Sequence, residues 1–118
     1  MTELIACLSA GKGTWTHVKS LMQKDDWEKV FLVTNQFGRE NFRAEKEAIF
    51  ITPDFNKDIN SLVSDIKNSM KGKISGLEVA LNIVSGEGKE HMALLAALMQ
   101  LGIGFRLVYA AEKGIEEI

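Results

Sequence analysis

Residues 77–90 read Leu77-Glu78-Val79-Ala80-Leu81-Asn82-Ile83-Val84-Ser85-Gly86-Glu87-Gly88-Lys89-Glu90. An apolar run, 77–84, predicts a buried strand, and a glycine-lysine loop follows it. Past the loop, residues 92–101 are apolar almost all round, which predicts a helix buried on more than one side. Gly102 then stands where a helix-ending residue is expected. Strand, glycine loop, helix is the local grammar of an α/β fold.

The same grammar recurs near the N-terminus. Residues 4–8 predict a short buried strand, followed by Ser9-Ala10-Gly11-Lys12-Gly13-Thr14. Thr14 is a candidate N-cap for a helix with Trp15, Val18, Leu21 and Met22 on one face, stopping near Asp25-Asp26.

Between these two units, residues 30–34 predict a second strand and residues 35–38 a loop. Residues 39–47 are charged, with Phe42 and Ala44 as apolar anchors, and fit either a short exposed helix or an irregular crossover. Residues 48–52 predict a third strand, stopped by Pro53. Ile59, Leu62, Val63, Ile66 and Met70 then form one helical stripe, with Asp54 or Asn56 as cap and Gly72 as terminator. Residues 105–110 predict a fifth strand, and the acidic tail 111–118 reads as a frayed helix or a stub.

Alternating elements with continuously apolar strands indicate a parallel sheet covered on both faces. Right-handed crossovers leave two common orders, 3-2-1-4-5 and 2-1-3-4-5. Ligands bind where the order reverses, beyond the carboxyl ends of the strands. In the first order that point lies between strands 1 and 4, the two strands followed by glycine-lysine loops. In the second it pairs the first loop with Pro53-Asp54, which offers no glycine. The expected fold is therefore a single three-layer Rossmann-like α/β domain over 1–118. Its parallel sheet has five strands in the order 3-2-1-4-5, with helices on both faces.

Glycine lets backbone amides approach a ligand, and a helix N-terminus favours negative charge. Two such loops walling one crevice predict a site for an anionic, nucleotide-like ligand. The expected contacts are backbone amides of Gly11, Gly13, Gly86 and Gly88, charge from Lys12 and Lys89, and hydroxyls of Ser9, Thr14 and Ser85. Glu87 points away, meets sugar hydroxyls, or argues against phosphate.

Several nucleotide motifs fail. A P-loop needs a glycine five residues before its terminal Gly-Lys, where this chain has Ala6, and no other strand ends in a Mg²⁺-holding aspartate. A dinucleotide fingerprint needs glycine at Thr16, and the second strand ends in Thr34-Asn35 rather than an acid. Asn35 remains a weak ribose-binding candidate. His17 and His91 lack partners at metal-ligand spacing, so no metal site is expected. His91 beside Lys89 suits acid-base work only if a paired base exists. Cys7 reads as a small core residue, and Trp15 as core rather than a base-stacking rim. No catalytic residue is assigned and no cofactor is expected.

The 118 residues suffice for one domain. A net charge of −2 gives no reason to expect direct DNA binding or an anionic membrane surface. No apolar stretch is long enough to span a bilayer. One cysteine excludes an internal disulfide framework, and Met1-Thr2-Glu3 lacks the basic flank of a signal peptide, so a cytoplasmic location is expected.

Residues 80–102 resemble the CARF family, the CRISPR-associated Rossmann-fold sensor domains. Family members carry an Asn or Asp, a Thr/Ser-Gly-Gly-Thr-Lys-like loop, then an apolar helix ending in glycine. Asn82, Ser85, Gly86 and Lys89 stand in those roles, while Glu87 and Gly88 replace the usual Gly and Thr. Residues 8–18 are similar to the family's first motif, a small-residue turn opening a helix. The resemblance implies a homodimer that binds a cyclic oligoadenylate across its two-fold axis in antiviral defence. With no effector domain after the fifth strand, it implies a standalone sensor, a metal-independent ring nuclease using Lys89, or an interaction subunit with a degenerate pocket. The apolar helix after Lys89 independently suggests a subunit contact.

Overall fold

A computed structural model describes residues 2–8 and 12–118. Its strands are β1 (Glu3–Cys7), β2 (Lys29–Val33), β3 (Ile49–Ile51), β4 (Glu78–Asn82), β5 (Gly104–Ala111) and β6 (Gly114–Glu117). The helices are α1 (Trp15–Gln23), α2 (Gln36–Asn41), α3 (Ile59–Met70) and α4 (Gly88–Gln100), and a 3-10 turn at Lys12–Thr14 leads into α1. The sheet order is β3-β2-β1-β4-β5-β6. Every pairing is parallel except β5 with β6.

β1 is central, paired with β2 on one side and β4 on the other, and all five of its residues are buried. Its alternating side chains feed two cores. Ile5 and Cys7 join Phe31, Leu81 and the buried faces of α3 and α4. Leu4 and Ala6 join Leu32, Ala80, Val108 and the buried face of α1. The result is the expected three-layer α/β sandwich in Rossmann-like order, and among the described residues no helix is long and apolar enough to cross a membrane.

The sheet has six strands, not five. The tail expected to fray pairs antiparallel with β5, Ala111 facing Gly114 and Val108 facing Glu117. Gly114 makes the turn possible at φ +140°. Arg106 on β5 bonds both Glu78 Oε1 at 2.9 Å and Glu117 Oε2 at 3.1 Å, so the acidic tail finds its cation on the neighbouring strand.

Residues 36–41 are helical: 36–38 fall where a loop was expected, and 39–41 in the stretch that fitted either a short helix or a crossover. Asn35 Oδ1 accepts from Gly38 N at 2.9 Å and caps α2, which takes this side chain away from the ribose role considered above. The anchor role of Phe42 holds: it is buried and meets Trp15 edge-on at 5.6 Å. In α3 the buried stripe is Leu62, Val63, Ile66 and Met70, while Ile59 is exposed. Its cap is Asp58, neither Asp54 nor Asn56; Asp54 instead accepts from Asn56 N in the preceding turn.

Within the chain α4 buries one side only. Ala93, Leu94, Ala97 and Leu98 face the core, but Met92 and Met99 are 67% and 72% exposed.

Candidate functional site

Because β1 and β4 are neighbours, with Ala6 beside Asn82, both glycine loops leave the same stretch of the sheet's carboxyl edge. The described residues place the candidates unevenly. Ser9, Gly11 and the Lys12 side chain lie outside them. Gly13 is exposed, and among the described residues no atom lies near where its β-carbon would stand. Thr14 precedes α1 with φ −100° and ψ −2°, and its side chain makes no capping bond.

The second loop folds onto its own helix. Gly86 has φ +106°, and a β-carbon there would lie 3.0 Å from His91 Nε2 and 3.4 Å from both Cys7 Cβ and Glu90 Oε2. Glycine is required at this position twice over, for conformation and for space. His91 Nε2–H donates to the buried Ser85 carbonyl at 2.9 Å, which puts the ring proton on Nε2. Glu87 is the N-cap residue of α4, and Glu90 sits three positions on, where a carboxylate can reach back to the cap amide. That carboxyl is raised above its ordinary value by burial, while a backbone hydrogen bond at Glu87 pulls the other way. Burial, with the nearby Glu90 carboxylate adding to it, pushes the Cys7 thiol up to about 12, so this sulfur stays a protonated core group.

Lys89 behaves differently from the expectation that it supplies charge to a ligand. Its Nζ donates to the Phe55 carbonyl at 3.0 Å and the Lys57 carbonyl at 2.6 Å. The ammonium therefore ties the start of α4 to the loop before α3. A lysine beside a glycine loop in sequence has four carbons of reach, and here the nearest acceptors belong to another segment.

A polar assembly not foreseen from sequence joins α1 to the ends of β4 and β5. Asn82 is buried; its Oδ1 accepts from Val84 N at 3.3 Å and its Nδ2 donates to the Val108 carbonyl at 2.9 Å. These two bonds set the amide's orientation and turn Nδ2 toward His17 Nε2, 3.2 Å away. Ala110 N also donates to that nitrogen, at 3.4 Å. Nε2 therefore carries the lone pair, and the neutral ring carries its proton on Nδ1. Burial lowers the His17 pKa from the ordinary imidazole value and favours this neutral form. Tyr109 packs on the same ring, centroids 4.4 Å apart at 51°. The sequence signal was only an asparagine near the end of a strand and a histidine in the first turn of a helix.

No protein-family model matches this chain, and no curated protein sequence matches it. The site's chemistry rests on its own residues: glycine turns, neutral hydrogen-bonding groups, the exposed ring of Tyr109 and a half-buried carboxyl at Glu90.

Proposed function

We propose that this chain is a small nucleotide-binding module, its ligand seated at the carboxyl ends of β1 and β4. The observation that carries this reading is the adjacency of those two strands, from whose carboxyl ends the two glycine loops depart. In line with the CARF-like loops, the ligand is of the cyclic oligoadenylate type and the working unit is a homodimer. Its phosphates meet the amides of the loop glycines, Lys12 supplies charge, and Lys89 holds the scaffold.

Binding is favoured over cleavage. Lys89 is held by two carbonyls, Cys7 is buried and protonated, and His91 spends its Nε2 proton on Ser85. A ring-opening step needs charge stabilisation that none of these supplies in this arrangement. Calorimetry with cyclic tetraadenylate and cyclic hexaadenylate should give saturable heat with at least one. Chromatography of the recovered ligand should show it intact. Absence of heat with both at high protein concentration ends the proposal; a linear product reverses the order of binding and catalysis.

A further inference from the structure

Most of the polar chemistry of the second loop is already engaged within the protein. Lys89 is bound to carbonyls, the His91 Nε2 proton goes to Ser85, and Glu87 and Glu90 add negative charge at the start of α4. That half of the site is poorly suited to gripping phosphate by charge. Two residues beyond the end of β4, Val84 N–H bonds back to Asn82, and Asn82 reaches across to His17. His17 itself lies less than one turn into α1, whose N-terminal side carries the first loop. The His17–Tyr109 pair thus lies where α1 meets β5, beside the end of β4 and on the side of β4 away from β1.

This pair has what a nucleobase requires. Tyr109 is 43% exposed, so part of a rigid aromatic side chain is open to solvent. The imidazole tilted against it is held in place: two N–H donors bond His17 Nε2, and the Asn82 amide among them is itself oriented by two further bonds. With Nε2 used as acceptor, the ring's other nitrogen is a fixed donor. A neutral N–H beside an aromatic face suits a flat heterocycle bearing ring-nitrogen acceptors better than an anion. A purine offers more such acceptors and a wider stacking surface than a pyrimidine.

We infer that His17 and Tyr109 form the base-recognition face of the site and take a purine nucleoside, which stacks on Tyr109 and accepts a hydrogen bond from His17 Nδ1–H. This deepens the nucleotide reading above and rests on it for the neighbouring phosphates. It assigns the specificity of the site to α1 and β5 rather than to the glycine loops.

Solution NMR of the intact chain separates the two ideas, with adenosine, uridine and ribose 5-phosphate titrated individually. Adenosine should shift the His17 and Tyr109 ring resonances and uridine should do so more weakly. Tyr109→Leu should weaken adenosine binding roughly tenfold, the scale of one base–aromatic stack, while Tyr109→Phe retains it. If ribose 5-phosphate moves the Gly86 and Gly88 amides but adenosine leaves both rings unmoved, the base-recognition inference fails and the nucleotide reading survives. If adenosine binds Tyr109→Leu as well as the parent, the stack is refuted. If no titrant moves any signal, both fall. The parent-protein shifts decide the matter even should the leucine variant not fold.

Discussion

A β-carbon on Gly38 would stand 1.9 Å from Thr34 Oγ1. That hydroxyl is fully buried and donates to the Leu8 carbonyl at 2.9 Å, at the end of the chain's central strand. Gly38→Ala must push Thr34 aside and break the bond, leaving a buried carbonyl and hydroxyl without each other. Such a loss is worth about 1–3 kcal/mol, and the steric shift adds to it. Gly38→Ala should therefore lower the urea midpoint by the equivalent of roughly 2 kcal/mol or more. Gly88→Ala, with no atom of the described residues near its β-carbon, should leave the midpoint almost unchanged. Equal midpoints for the two variants would refute the close approach. From sequence Gly38 read as one more loop residue, because a glycine's neighbours in space are not written beside it in the chain. Lys89 shows the same limit from the other direction. Its charge and position were plain, but its acceptors at Phe55 and Lys57 lie more than thirty residues away.

Among the elements, α3 was the most legible, since four buried residues at helical spacing leave little choice of conformation. Its start was misjudged because three polar residues compete within a short stretch, and all can accept a backbone N–H. Asp58 wins by bonding both Ser61 N at 3.2 Å and Ser61 Oγ at 2.7 Å. Those bonds hold the Asp58 carboxyl below its ordinary value. The sign of the pH effect follows: the carboxylate's contribution is present above the ordinary aspartate range and is lost as pH falls through the folded-state value. Thermal melts should show Asp58→Ala with a lower Tm at neutral pH. Asp58→Asn, which keeps an acceptor, should stay near the parent and lose the acid-side decline that this carboxylate contributes. An alanine variant with an unchanged Tm would remove Asp58 as the cap. The two elements that were not settled from sequence, α2 and β6, are short. α2 has six residues with Gly38 as its one buried position, and β6 is an edge strand defined only by its pairing with β5.

At the scale of the whole molecule, the exposed side of α4 is its least balanced surface. Met92 and Met99 lie two turns apart on one face, with half-buried Leu95 and Ala96 between them. Apolar side chains repeating along a solvent-facing helix mark an association surface, and a two-fold axis lets one such face pair with itself. The proposed homodimer uses this surface. Sedimentation velocity should give a dimer for the parent chain, and the double variant Met92→Glu/Met99→Glu should sediment as a monomer with its circular dichroism unchanged. A parent that stays monomeric at its highest soluble concentration would exclude this interface. A double variant that remains dimeric would place the contact elsewhere.

The chain's own pattern was enough to determine the alternation of strands and helices, the two-faced core and the glycine turns. Those depend on residues near one another in sequence, through side-chain period and backbone freedom. The loop chemistry also pointed to β1 and β4 as neighbours, and the sheet order agrees. Only the tertiary structure decided which groups meet: Lys89 with the loop before α3, Thr34 with Gly38, and His17 with Asn82 and Ala110. A polar side chain with several acceptable partners takes those that packing brings within about 3 Å, and packing is settled by the whole core at once.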